Sequence, residues 1–209
     1  MTLYDLSPRI SPRIGVFPGD TPFRQRFLCR LDAGANLDLS TVETTVHLGA
    51  HADAPSHYQA GAPGIAERPL SLYLGPCEVL RVEVPRGARI LPAHLPAAPR
   101  APRVLLHTGT FPDPDAWNSD FAALSPELVH HLAAAGVRLV GIDTPSIDLQ
   151  DDAALLAHSA VAAHDMAVLE GLLLGHVPPG LYELIALPLP IEGADASPVR
   201  AVLRPLPPG

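Results

Sequence analysis

The chain has 209 residues, 47% hydrophobic and 17% charged, so it is globular rather than disordered and can bury one sizeable core. Its formal net charge of −8 argues against a phosphate-binding surface, and its 14 basic residues are all Arg. The lack of lysine excludes a Schiff-base lysine, a P-loop lysine and a Ser-Lys dyad.

Residues 1–11 show no basic stretch followed by an apolar one, and no apolar run reaches the roughly 18 residues of a membrane span, so a cytoplasmic location without membrane contact is expected. Residues 24–30 and 37–47 read as strands or extended segments. Residues 78–84 alternate, with Leu80, Val82 and Val84 on one face, which predicts a half-buried strand. Further short apolar runs rich in β-branched residues, at 104–107, 138–142, 182–187 and 199–203, read as strands too. One helix is well signalled: Ser125 caps it, Pro126 suits its first turn, Glu127 suits its dipole and Gly136 ends it. A second starts near Asp151 and Asp152 and carries residues 153–163, whereas 166–174 fits strand or helix equally. Pro178, Pro179 and Gly180 turn the chain into the 182–187 strand, and the Pro-rich stretch 204–209 is expected to fray. Cys29 and Cys77 form no Cys-x-x-Cys pair and read as packed thiols. The sum is one mixed α/β domain over residues 1–209, with more strand than helix and no repeat or linker.

The stretch that carries chemistry packs His47, His51, Asp53 and His57 into eleven residues. Gly49 and Pro55 argue against a helix. In an extended chain all four positions share one parity, so their side chains can point to one side, with Leu48, Ala50, Ala52 and Ala54 on the packed reverse. Imidazole nitrogen and carboxylate oxygen ligate zinc or manganese without help from a thiolate. A His-rich surface strand is the bland alternative, disfavoured by the interleaved alanines. His94, His107, His130, His131 and His176 read as solvated or core histidines. Spacing alone does not decide whether His158 and Glu170, twelve residues apart, are ligands. Asp143, after a strand, fits a functional loop or turn duty equally well.

The segment His47-Leu-Gly-Ala-His-Ala-Asp-Ala-Pro-Ser-His57 resembles the His-x-Gly-Thr-His-x-Asp-x-Pro-x-His signature of the cyclase-like metal hydrolases. Phe17-Pro-Gly-Asp-Thr-Pro22, His107-Thr-Gly-Thr110, Gly141-Ile-Asp-Thr-Pro-Ser-Ile147, Ala167-Val-Leu-Glu-Gly171 and Tyr182-Glu-Leu-Ile-Ala-Leu-Pro188 extend the resemblance nearly end to end, toward the bacterial kynurenine formamidases. The resemblance implies a swivelling β/β/α fold and a homodimer. It implies that His47, His51 and Asp53 bind one metal ion and that His158 and Glu170 complete a second site sharing Asp53 and Glu170. It makes His57 the acid–base, with Phe17 and Tyr58 flanking the substrate ring. Two divalent ions, zinc first and manganese second, follow from the same resemblance. Five ligands would saturate a single zinc, whereas two ions share them and leave room for water. The implied reaction is hydrolysis of N-formylkynurenine to kynurenine and formate. Rival readings are a cyclic amide such as isatin as substrate, a metal-binding module without catalysis, and structural histidines with no metal. Two positions depart from the signature: Ala50 stands where Thr is usual, and Phe17 where the formamidases commonly have Trp.

Overall fold

The computed structural model describes residues 2–206. Thirteen strands, β1 (Tyr4–Asp5), β2 (Arg24–Cys29), β3 (Leu39–Glu43), β4 (His51–Asp53), β5 (Leu74–Arg81), β6 (Arg89–Ile90), β7 (Arg103–His107), β8 (Ala123–Leu124), β9 (Leu139–Ile142), β10 (Ala167–Glu170), β11 (Gly180–Ile185), β12 (Ala196–Pro198) and β13 (Val202–Pro205), accompany two helices, α1 (Pro126–Ala134) and α2 (Leu156–Ala163). Nine of the strands form one sheet in the order β1-β13-β11-β5-β7-β9-β10-β4-β12. Its centre, β5-β7-β9-β10, is parallel, and both flanks are antiparallel. The ribbon β2-β3 and the short pair β6-β8 stand apart from it.

Two apolar clusters explain the shape. Leu80, Val104, Leu106, Val140 and Val168 pack on one face of the sheet against Leu128, Val129 and Leu132 of α1 and Ala157, Ala160 and Val161 of α2. On the other face, Val79, Leu105, Leu139 and Leu169 pack with Ala52 from β4, Leu184 from β11 and Leu203 from β13. Strands from opposite ends of the order thus share one cluster, which requires a curled sheet. Parallel strands covered on both sides are the general rule for such sheets.

That rule corrects the expectation for residues 78–84. Val79 is buried on one face while Leu80 and Val82 are buried on the other, so the segment is not half-buried, and its strand runs from Leu74 to Arg81. The expected fray at 204–209 is also corrected in part: Arg204 and Pro205 pair with Glu183 and Tyr182, while residues 207–209 lie outside the described ones. Of the strand or extended segment expected at 37–47, Leu39–Glu43 form a strand, and the strand expected at 199–203 begins only at Val202. Helix α1 starts as expected, with Ser125 Oγ accepting the Leu128 amide at 3.1 Å. Helix α2 starts later than expected, because Asp152 first accepts the amides of Ala154 and Leu156 in a turn. Residues 166–174, open on periodicity, contribute β10.

The functional stretch is not one straight strand. Only His51 to Asp53 are in β4; Gly49 bends the chain with φ +57° before it, and Pro55–His57 form a single 3-10 turn after it. Gly171, at φ +65° just beyond β10, lies so close to this bend that a Cβ there would collide with the Gly49 carbonyl. Gly171→Ala is therefore expected to cost about 2 kcal/mol or more, from backbone strain plus a clash that rigid neighbours cannot relieve. Gly61→Ala, at φ +76° in open space, should cost only about 1 kcal/mol. Equal denaturation midpoints for the two variants would refute the close approach.

Candidate metal centre

Pairing of β4 with β10 sets the centre. Glu170 lies directly opposite His51, so the two side chains leave the sheet on one face. Asp53, two residues on, follows on that face, while Ala52 points back into the core. The Gly49 bend returns His47, and α2 brings His158 in from outside the sheet. His47 Nδ1 and His51 Nε2 lie 3.0 and 3.5 Å from Asp53 Oδ1, and His158 Nε2 lies 3.3 Å from Asp53 Oδ2. Glu170 spans the same gap, with Oε2 at 3.2 Å from His51 Nε2 and Oε1 at 3.5 Å from His158 Nε2. Three groups with metal-ligand geometry result: His47–His51–Asp53 and Asp53–His158–Glu170, which are buried and share Asp53, and the more exposed His47–His57–Asp195. All five residues named from the sequence therefore come together.

The donor set tests whether a cation fits. His51 Nδ1 donates to the Gly49 carbonyl at 2.8 Å, and His158 Nδ1 donates to Asp148 Oδ2 at 2.8 Å. With those hydrogens committed, each neutral ring turns its Nε2 lone pair toward carboxylate oxygens. Lone pairs facing each other at this range repel unless a proton or a cation lies between them. His51 Nε2 and Asp53 Oδ1 are moreover buried with no hydrogen-bond partner. Nitrogen and oxygen donors without thiolate, each imidazole oriented from behind, suit a divalent metal ion.

Protons compete with an ion for this place. Burial alone would push His47 toward the neutral form, but Asp53 and Asp195 outweigh it and raise its pKa to about 9. Burial opposes charge at His158 as well, and Asp148, Asp53 and Glu170 override it, raising the pKa. Asp53 is held well below the usual carboxylate range, again against burial, by His158 and His47. Metal uptake must therefore release protons.

A cavity of about 530 Å³ opens onto the cluster, with His57, Phe17, Phe111 and Trp117 on its wall. Phe17 meets Trp117 edge-on, with ring centroids 5.4 Å apart, so an indole stands beside the position where this chain has Phe in place of the usual Trp. Tyr58 departs from expectation: it is absent from this wall and packs against the His158 ring at 5.1 Å. Asp143 does both things left open: it lines the cavity and holds a turn, accepting the amides of Thr108 and Gly109 and the Thr108 hydroxyl.

Sequence reasoning missed Asp148 and Asp195. Asp148 accepts the amides of Ala157 and His158 as well as the His158 ring, capping α2 from eight positions before it begins, and it pairs with Arg89. No local spacing marks such a cap. Asp195 sits in Gly193-Ala-Asp-Ala-Ser-Pro198, which reads as an ordinary turn, yet it lies within 3.0 Å of His47 and 2.9 Å of His57. Trp117 was detectable as the chain's one tryptophan. Asp148→Asn keeps the shape but weakens the acceptor behind His158, so metal affinity should fall about 10–100-fold with the circular dichroism spectrum retained. Chelator competition measures this, and unchanged affinity would remove Asp148 from the metal shell.

Comparison with known proteins agrees with this architecture. The family model described as "Putative cyclase" matches residues 4–149. A solved structure named a potential metal-dependent hydrolase with cyclase activity is 26% identical, over 99% of this chain and 99% of its own, with a TM-score of 0.82. A predicted metal-dependent hydrolase from Bacillus stearothermophilus is 26% identical over 97% of both chains, with a TM-score of 0.80. Isatin hydrolase A from Labrenzia aggregata, bound to benzyl benzoate, shares the fold at 22% identity and a TM-score of 0.80, covering 97% of this chain and 93% of its own. The fold is thus the mixed α/β fold of these proteins, and since the matched segment spans most of the sequence, the chain belongs to the cyclase family.

Proposed function

We propose that this protein is a metal-dependent amidohydrolase that cleaves N-formylkynurenine to kynurenine and formate in the cytoplasm. The observation that carries the reading is an aromatic-walled cavity opening onto a buried imidazole–carboxylate cluster, with His57 more exposed at its edge. His47, His51, Asp53, His158 and Glu170 would hold two divalent ions, zinc before manganese, because Asp53 directs one oxygen to each of the two groups that share it. Bound there, such ions supply Lewis acidity, making water nucleophilic near neutral pH and polarising an amide carbonyl.

The protein's own residues do the rest. Phe17, Phe111 and Trp117 offer ring faces and edges to an aryl amide and exclude bulk water from it. The departing anilide nitrogen is a poor anion and must gain a proton, which His57 is placed to deliver. Asp20 on the cavity wall offers a partner to the α-ammonium group of formylkynurenine. One observation favours a second reading, a neutral cyclic amide such as isatin: among the described residues no Arg lines the cavity to meet a substrate carboxylate.

The exposed apolar side chains Phe27, Leu28, Leu39 and Val42 on the β2-β3 ribbon support assembly as a homodimer. Light scattering should find a dimer that Leu28→Asp with Val42→Asp converts to a monomer; a monomeric parent protein would end this part of the proposal.

Hydrolysis of formylkynurenine and of isatin should be followed before and after chelation, with zinc or manganese restored and metal counted. Formylkynurenine turnover should vanish on chelation and return at close to two ions per chain. His57→Ala should lower kcat by roughly 10²–10⁴-fold with metal content retained. Metal uptake with isatin opened and formylkynurenine untouched would establish the second reading instead.

A further inference from the structure

One carboxylate oxygen lies between the candidate metal centre and the candidate acid–base. Asp195 Oδ2 is 3.0 Å from His47 Nε2 and 2.9 Å from His57 Nδ1, and the two rings lie 4.2 Å apart, centroid to centroid. An ionised carboxylate only accepts hydrogen bonds, so with metal ions held at the two groups that share Asp53, both ring nitrogens facing Asp195 carry hydrogen. In a neutral imidazole the opposite nitrogen then holds the lone pair. For His47 that nitrogen is Nδ1, which lies 3.0 Å from Asp53 Oδ1 inside the His47–His51–Asp53 group. For His57 it is Nε2, left for work in the cavity that the residue lines.

We propose that Asp195 is a positioning residue that sets the tautomers of His47 and His57 together, so that one presents Nδ1 to the metal and the other presents Nε2 to the substrate. The inference rests on the ligand and acid–base roles proposed above and adds the group that orients both. Nε2 of His57 can then take a proton from the attacking water and return it to the leaving nitrogen, while Nδ1–H stays on Asp195 throughout. The backbone that carries this carboxylate is held independently of the side chain. The Asp195 carbonyl accepts the Ala54 amide at 2.8 Å, and Ala196 pairs opposite Asp53 in β12. The side chain itself is 45% exposed, so replacing it opens no void in the core.

The test is imidazole nitrogen–proton correlation NMR on the zinc-loaded protein without substrate, with zinc affinity and kcat and KM measured in parallel. The parent protein should show His57 as the Nδ1–H tautomer and His47 with hydrogen on Nε2. In Asp195→Ala, His57 should lose its single tautomer, zinc affinity should fall about 10-fold or more, and kcat should drop further than KM rises. Asp195→Asn keeps an accepting oxygen and should restore the Nδ1–H signal in part. Retention of the Nδ1–H tautomer by Asp195→Ala overturns the proposal. So does a metal-bound signature on His57 Nδ1 in the parent protein, which would make Asp195 a ligand. A wrong substrate leaves every variant inactive on formylkynurenine while the tautomers still shift, so the two readings fail separately.

Discussion

Asp53 and Glu170 are carboxylates in the buried interior of the fold, and burying such groups costs several kcal/mol each unless partners satisfy them. The β4-β10 register supplies the partners by placing His51 across from Glu170, and α2 adds His158. Asp148 holds His158 from behind while capping the helix that carries it. Small side chains at Ala50, Ala52 and Ala54 let β4 lie deep between β10 and β12, so the charged row reaches the interior without a large apolar side chain in its way. The rest of the architecture keeps these few groups at hydrogen-bonding range.

The surrounding parts divide the work. The parallel strands β7 and β9 end at the same edge of the sheet, and the loops leaving them build the cavity mouth, as open α/β sheets do in general. The loop after β7 carries Phe111 and Trp117 and is tied at its base to Asp143, at the end of β9. The loop after β9 carries Asp148 and Gln150, and Gln150 accepts the Trp117 indole hydrogen at 2.8 Å. The carboxylate that orients His158 and the aromatic wall of the cavity therefore hang from adjacent strands of one sheet.

Structures at 22–26% identity keep this sheet over nearly the whole chain, and one of them is an isatin hydrolase. A shared fold does not choose a substrate; in the proposed reaction that choice falls to cavity-wall side chains such as Phe17, Phe111 and Trp117.

Much of the candidate site was legible in residues 47–57 because side chains able to ligate a metal recur there at even spacing among alanines, and such local patterns survive folding. The Ser125 cap and the short central strands were legible for the same reason: each is decided by a few neighbouring residues. The bend at Gly49, the turn at Pro55–His57 and the coverage of β5 on both faces depend on what packs against them. The same holds for Asp148 and Asp195, which reach His158 and His57 from 10 and 138 positions away along the chain. The amino-acid sequence alone determined the kinds of atoms available for metal and proton chemistry and the strand-rich character of the chain. Only the tertiary structure decided which carboxylate lies behind each imidazole and which aromatic rings wall the cavity, because strand register and loop closure are long-range outcomes of packing that no local spacing encodes.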